Sequence, residues 1–95
     1  MFSSINKIDF SKYKTINIQI QDYVAQNNVS AYIGASHYNN AIVDYISYIG
    51  LRNGTVTLDV SNVNVSAYCK IDASLSGSTA NPAKLQFKIK KIWLE

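Results

Sequence analysis

Ile16, Ile18, Ile20 and Val24 alternate with Asn17, Gln19, Gln21 and Tyr23, the two-residue period of a strand that buries one face. Only Asp22 breaks the inward row. After the polar break Gln26-Asn27-Asn28, the residues Val29, Ala31, Ile33 and Ala35 repeat the alternation and predict a second strand. The dipeptide Asn53-Gly54 predicts a hairpin, because both residues tolerate the positive φ of a type I′ turn. That turn would pair Arg52 with Thr55, Leu51 with Val56 and Ile49 with Leu58, so apolar residues meet on one face.

Past Val56, Leu58 and Val60 the inward phase moves at Ser61-Asn62 to Val63, Val65, Ala67, Cys69, Ile71, Ala73 and Leu75. A one-residue change of phase predicts a bulge or short turn there. The loop Ser-Gly-Ser-Thr-Ala-Asn-Pro at 76–82 leads to a last strand, Lys84–Leu94, that buries Leu85, Phe87 and Ile89 and turns Lys84, Gln86 and Lys88 outward. At Lys90-Lys91 the phase slips or the strand ends, and Trp93 has no assigned face.

The segment 41–49 reads two ways: Ile42, Tyr45, Ile46 and Ile49 fit one helical face, while its β-branched and aromatic content favours a strand. The predicted fold is therefore all-β, with or without one short helix near 40–50. Six or seven short antiparallel strands would form a small sandwich, a jelly roll or a barrel.

The chain has 95 residues, of which 47% are apolar, enough for one domain over 1–95 with its own core. Residues 1–13 are an alternative extended arm. Cys69 is the single cysteine, so no internal disulfide can form. It falls in an apolar row, which predicts a core thiol.

The first residues lack the pattern of a secretory leader, and no apolar run approaches the roughly 18 residues of a membrane span. The expectation is a soluble chain with no signal peptide and no membrane contact, cytoplasmic or incorporated into a particle. Three Asn-x-Ser/Thr triplets, at Asn28, Asn53 and Asn64, are read as chance matches in a chain rich in Asn and Ser.

Catalytic and metal chemistry finds little support. His37 is the only histidine and lies in a polar turn sequence; no Gly-x-Ser-x-Gly elbow presents a nucleophile. One His, one Cys and six scattered acids do not make a zinc set, and no phosphate-binding glycine loop occurs. No cofactor is expected.

Charge is uneven: residues 1–14 carry +2, residues 84–95 carry +3, and the middle carries −2. Terminal segments lying side by side would gather seven lysines into one stripe for phosphate or an acidic protein. The plainer account is that lysines guard an exposed edge strand. With a single Arg, base-specific nucleic-acid recognition is disfavoured.

Tyr23, Tyr32 and Tyr68 fall in the outward phase of strands whose inward rows are aliphatic, while Tyr13, Tyr38, Tyr45 and Tyr48 have no assigned face. Candidate interaction residues are thus Tyr23, Tyr32, Tyr68, Lys84, Lys88, Lys90, Lys91 and Trp93. The function expected is a non-enzymatic structural or interaction subunit, docking onto other protein subunits, copies of itself included, in a virion-like or other multi-subunit particle. The alternatives are a single-stranded nucleic-acid binder on an OB-like barrel and a small inhibitor or adaptor.

Overall fold

Strand alternation of this strength asks for a second layer to cover each apolar row, and the fold supplies one. The structure is a computed structural model that describes residues 2–75 and 83–95. In chain order the strands are β1 (Phe2–Ser3), β2 (Ile8–Asp9), β3 (Thr15–Gln26), β4 (Val29–Ser36), β5 (Tyr45–Gly50), β6 (Gly54–Asp59), β7 (Ser66–Leu75) and β8 (Lys84–Leu94). A 3-10 turn, Phe10–Lys12, is the one helical element among the described residues; the short helix considered near 40–50 is strand from Tyr45 onward. The predicted loop at 76–82 lies outside the described residues.

All pairings are antiparallel. A five-stranded sheet runs β1-β7-β4-β5, with β2 also on β7, and a three-stranded sheet runs β6-β3-β8. Their inward rows share one core: Ile16, Ile18, Ile20, Val56 and Leu58 from the smaller sheet meet Ala31, Ile33, Ala35, Ala67 and Ile71 from the larger. Burying one such isoleucine is worth about 1.5–3 kcal/mol.

Residues 2–13 are not an arm that extends away. β1 and β2 dock on the edge of β7, and Phe10 is completely buried.

The Asn53-Gly54 hairpin is corrected. β5 pairs with β4, matching Ile49 to Ile33, and β6 pairs with β3, matching Val56 to Ile18. The dipeptide does turn the chain, but only Gly54 of the pair takes a positive φ, at 96°, so the type I′ turn is not made. The turn is a corner between sheets. Asn53 instead accepts a hydrogen bond on Oδ1 from the Tyr23 backbone N–H, at 2.8 Å. The left-handed pair sits at Asn27 (φ 63°) and Asn28 (φ 66°), where β3 turns into β4 and the chain changes sheet.

Four inward assignments, Val65, Ala73, Leu75 and Ile89, are also revised. Val65 is exposed because β7 starts only at Ser66, and Leu75 is exposed at the far end of β7, where Ala73 and Ser74 are exposed too. Ile89 is partly exposed at the edge strand β8. The slip near Lys90 is a bulge: Gln19 pairs with Lys91 and Ile20 with Ile89, which carries the inward row from Phe87 to Ile92 and Leu94.

Candidate functional site

On the outer face of the five-stranded sheet, three strands place polar and aromatic residues in rows. Ser74 lies opposite Ser30; on the central strand β4, Tyr32 lies between Asp72 of β7 and Gly50 of β5, and Gly34 between Lys70 and Tyr48. Tyr68 lies opposite Ser36, which pairs with Tyr45. Tyr45 and Tyr48 are three residues apart and would point to opposite faces of a regular strand. A register shift at Ile46, between the pairs Ala35–Ser47 and Ser36–Tyr45, brings both rings to this face.

The rings of Tyr32, Tyr45 and Tyr48 then pack on one another, with centroids 5.1, 5.6 and 6.0 Å apart and tilted or edge-to-face planes. A contact of this kind adds about 0.5–1.5 kcal/mol beyond area burial between well-buried rings, and those of the largely exposed Tyr48 add less. Gly34 makes the room: a Cβ there would fall on the Ser47 carbonyl and 2.7 Å from Cδ1 of Tyr45.

Beneath the rings lies an ionic group. Lys70 is fully buried; its ammonium donates to the Ile42 carbonyl (2.6 Å), lies 3.4 Å from Asp72 Oδ2 and sits 5.4 Å from the Tyr45 centroid. Tyr45 donates its hydroxyl to the same Asp72 oxygen at 3.0 Å. Burial first, and the hydrogen bond to Asp72 second, push the Tyr45 phenol well above its usual range; burial, then the Asp72 charge, raise that of Tyr32.

The segment 37–44 covers Lys70. The buried Ser36 hydroxyl closes it, donating to the Asp44 carbonyl (2.7 Å) and accepting from Tyr38 N–H (3.2 Å). Ser36, His37 and Asp44 are neighbours, and His37 Nδ1 lies 3.3 Å from Asp44 Oδ2. The Ser36 proton is committed to a carbonyl, so these three do not form a nucleophilic relay.

What remains open is a shallow bowl of about 320 Å3, lined by Tyr32, Tyr45, Tyr48, Val43, Ser30 and Ser74 among others. Tyr48 is 65% exposed and Val43 66%, with Ile42 at 52% beside them. Lys70 and Asp72 neutralise each other below, so the surface offers aromatic and aliphatic carbon with a few hydroxyls.

The anticipated residues separate. Tyr32 belongs to the cluster. Tyr68 is on the same face but has Lys7 as neighbour, 6.0 Å from its ring. Tyr23 is corrected: the bulge around Asp22 (φ 57°) turns it inward, where it packs against the core and Phe87 and accepts a hydrogen bond from Ala31 N–H at 3.2 Å.

Lys84, Lys88, Lys90 and Lys91 are all exposed on β8, in the other sheet, with Lys88 3.5 Å from Asp22 and Lys91 4.8 Å from the Trp93 ring. Trp93 is half-buried and donates Nε1–H to Glu95 at 2.9 Å. The lysines of the two ends do not gather into one stripe: Lys7 lies by Tyr68 on the larger sheet, while the Lys14 backbone N–H donates to the Glu95 carbonyl beside the end of β8.

Cys69 is partly buried against the core, and burial pushes its thiol up to about 11. Among the described residues no three His, Cys, Asp or Glu side chains converge, and no helix is long and apolar enough to cross a membrane.

Tyr45, Tyr48, Lys70 and Asp72 were not singled out from the sequence. The available hint was Tyr45-x-x-Tyr48 in a β-branched segment with isolated Gly34 in a strand, a pattern that marks close approach only once the partner strand is known. No family model matches the chain, and comparison with curated proteins and with solved structures finds no similar one.

Proposed function

We propose that this chain is a non-enzymatic interaction subunit, and that its tyrosine face docks onto the same face of a second copy within a larger assembly. The observation that carries this reading is the exposure of Tyr48, Val43 and Ile42 around a bowl already walled by Tyr32 and Tyr45. Tyrosine supplies large contact area at small entropic cost, and interface centres are rich in it and poor in charge.

Two copies meeting here bring no net charge together, because Lys70 and Asp72 cancel beneath the surface. The rest of a +3 chain repels its own kind. A two-fold contact is self-complementary by construction: each exposed Tyr48 can enter the other copy's bowl.

Sedimentation equilibrium tests the reading. The wild-type chain is expected to self-associate at about 10–100 μM, within the range of modest interfaces, and Tyr48→Asp to be monomeric with an unchanged fold. A wild-type chain that stays monomeric throughout overturns it and favours the adaptor reading. In that reading the bowl, at the low end of the roughly 300–1,000 Å3 of ligand pockets, takes one side chain of another protein. The nucleic-acid reading has less support, since the β8 lysines are not beside the tyrosine rings.

A further inference from the structure

The two sheets leave one side open, between β8 and the edge formed by β1 and β7. Two apolar hollows of about 240 and 250 Å3 follow one another there, and Phe2 lines both. Ile92 and Leu94 line the first; Leu85, Phe87 and Ile89 line the second. Phe2 itself is 58% exposed.

β8 is also an unpaired edge. Thr15 and Glu95 exchange backbone hydrogen bonds at 2.9 and 3.1 Å. By the two-residue period of an antiparallel ladder, Asn17–Trp93 and Gln19–Lys91 are the next bonded pairs, so Ile92 and Leu94 turn their N–H and C=O groups toward the open side. Among the described residues no strand pairs with them.

The outward phase of the same strand carries Lys84, Lys88 and Lys91, all exposed. Like charges opposite one another destabilise a strand pair, so this row disfavours pairing with a second β8 and favours an acidic neighbour.

We propose that β8 accepts, as an added strand, an extended segment of a different protein in which apolar and acidic residues alternate. Its apolar side chains fill the hollows beside Phe2, its carboxylates lie along Lys84, Lys88 and Lys91, and its backbone bonds to Ile92 and Leu94. This edge belongs to the three-stranded sheet and the tyrosine face to the five-stranded one, so self-association and strand addition are read by separate measurements.

The test uses the full chain, labelled for amide NMR, and a short blocked peptide of alternating valine and glutamate. Saturable binding is expected, with shifts centred on the amides of Ile89, Ile92 and Leu94. Changing Lys84, Lys88 and Lys91 to Gln should weaken it about tenfold, as lost charge complementarity does. A peptide N-methylated on alternate residues, which cannot form the ladder, should not bind. The proposal is overturned if the N-methylated peptide or a valine–lysine peptide binds as tightly, or if no saturation is seen up to about 1 mM, the floor of specific affinity.

Discussion

The Lys70 ammonium donates to the Ile42 carbonyl at 2.6 Å, and this one bond ties the segment 37–44 to a charge that has no exposure to water. A buried lysine is tolerable only while its partners stay in place, and here they are the Ile42 carbonyl, Asp72 and the Tyr45 ring. Lys70→Met leaves the largely buried Asp72 carboxylate without its counter-ion, which costs about 3–5 kcal/mol when one member of a buried pair is removed. Urea unfolding of the variant should show that loss as a lower midpoint with an unchanged slope. A cost under 1 kcal/mol would mean that the cover over Lys70 is open in solution.

Tyr45 and Tyr48 are near neighbours with different duties. Tyr45→Phe removes the hydroxyl that donates to Asp72 and should destabilise the fold by about 1–3 kcal/mol, the penalty of an unsatisfied buried acceptor. Tyr48→Ala should stay within about 1 kcal/mol, because its ring is mostly in water. Thermal unfolding of the two variants decides this, and the reverse order would be incompatible with the structure.

Gly34 lies under Tyr45, and Gly34→Ala drives a Cβ into the Ser47 carbonyl as well as the ring. Overpacking of this kind costs about 1–3 kcal/mol. Truncating Tyr45 as well should restore only part of it, since the backbone clash remains; a double-mutant cycle measures the shared portion.

Asp22 holds φ 57° within β3, a conformation a β-branched side chain resists. Asp22→Val should therefore lose about 1–2 kcal/mol, while Asp22→Gly should be neutral or better. The Lys88 partner is exposed and adds little, so Asp22→Asn should match the wild type in chemical denaturation.

Alkali should destabilise the fold through two groups that are held neutral by burial. Cys69, pushed from 9.0 to about 11 by burial, and Tyr45, raised from 10.0 by burial and Asp72, both favour their neutral forms when folded. A folded-state pKa above the unfolded one means stability that is complete below about pH 9 and declines as pH rises toward and past 11. Thiol labelling at pH 8 should be slow in the native chain and fast in urea, and removing the sulfur with Cys69→Ala should flatten the first part of the alkaline decline.

Much of the strand content was legible in the pattern of side chains. The alternation at Ile16–Ile20 and Ala31–Ala35 marks inward faces because a pleated strand has a period of two whatever it pairs with. The boundaries of the last strand, Lys84–Leu94, follow from the same rule. Phase changes at Ser61-Asn62 and Lys90 were visible for the same reason.

Which strand lies beside which was not legible, and Asn53-Gly54 shows why. Backbone hydrogen bonds are the same for every residue, so a turn signal between two apolar rows suits both a hairpin and a corner that passes the chain to the other sheet. Covering both faces of one core decided for the corner. Bulges erase face assignments in the same way: the one around Asp22 sent Tyr23 into the core, and the one at Ile46 brought Tyr45 and Tyr48 onto one surface. The side chains alone determined that this chain forms strands and which stretches are apolar. Only the tertiary structure decided that a lysine would be buried beneath a tyrosine surface, because that depends on a covering segment eight residues long, closed by Ser36, whose contacts lie far along the chain.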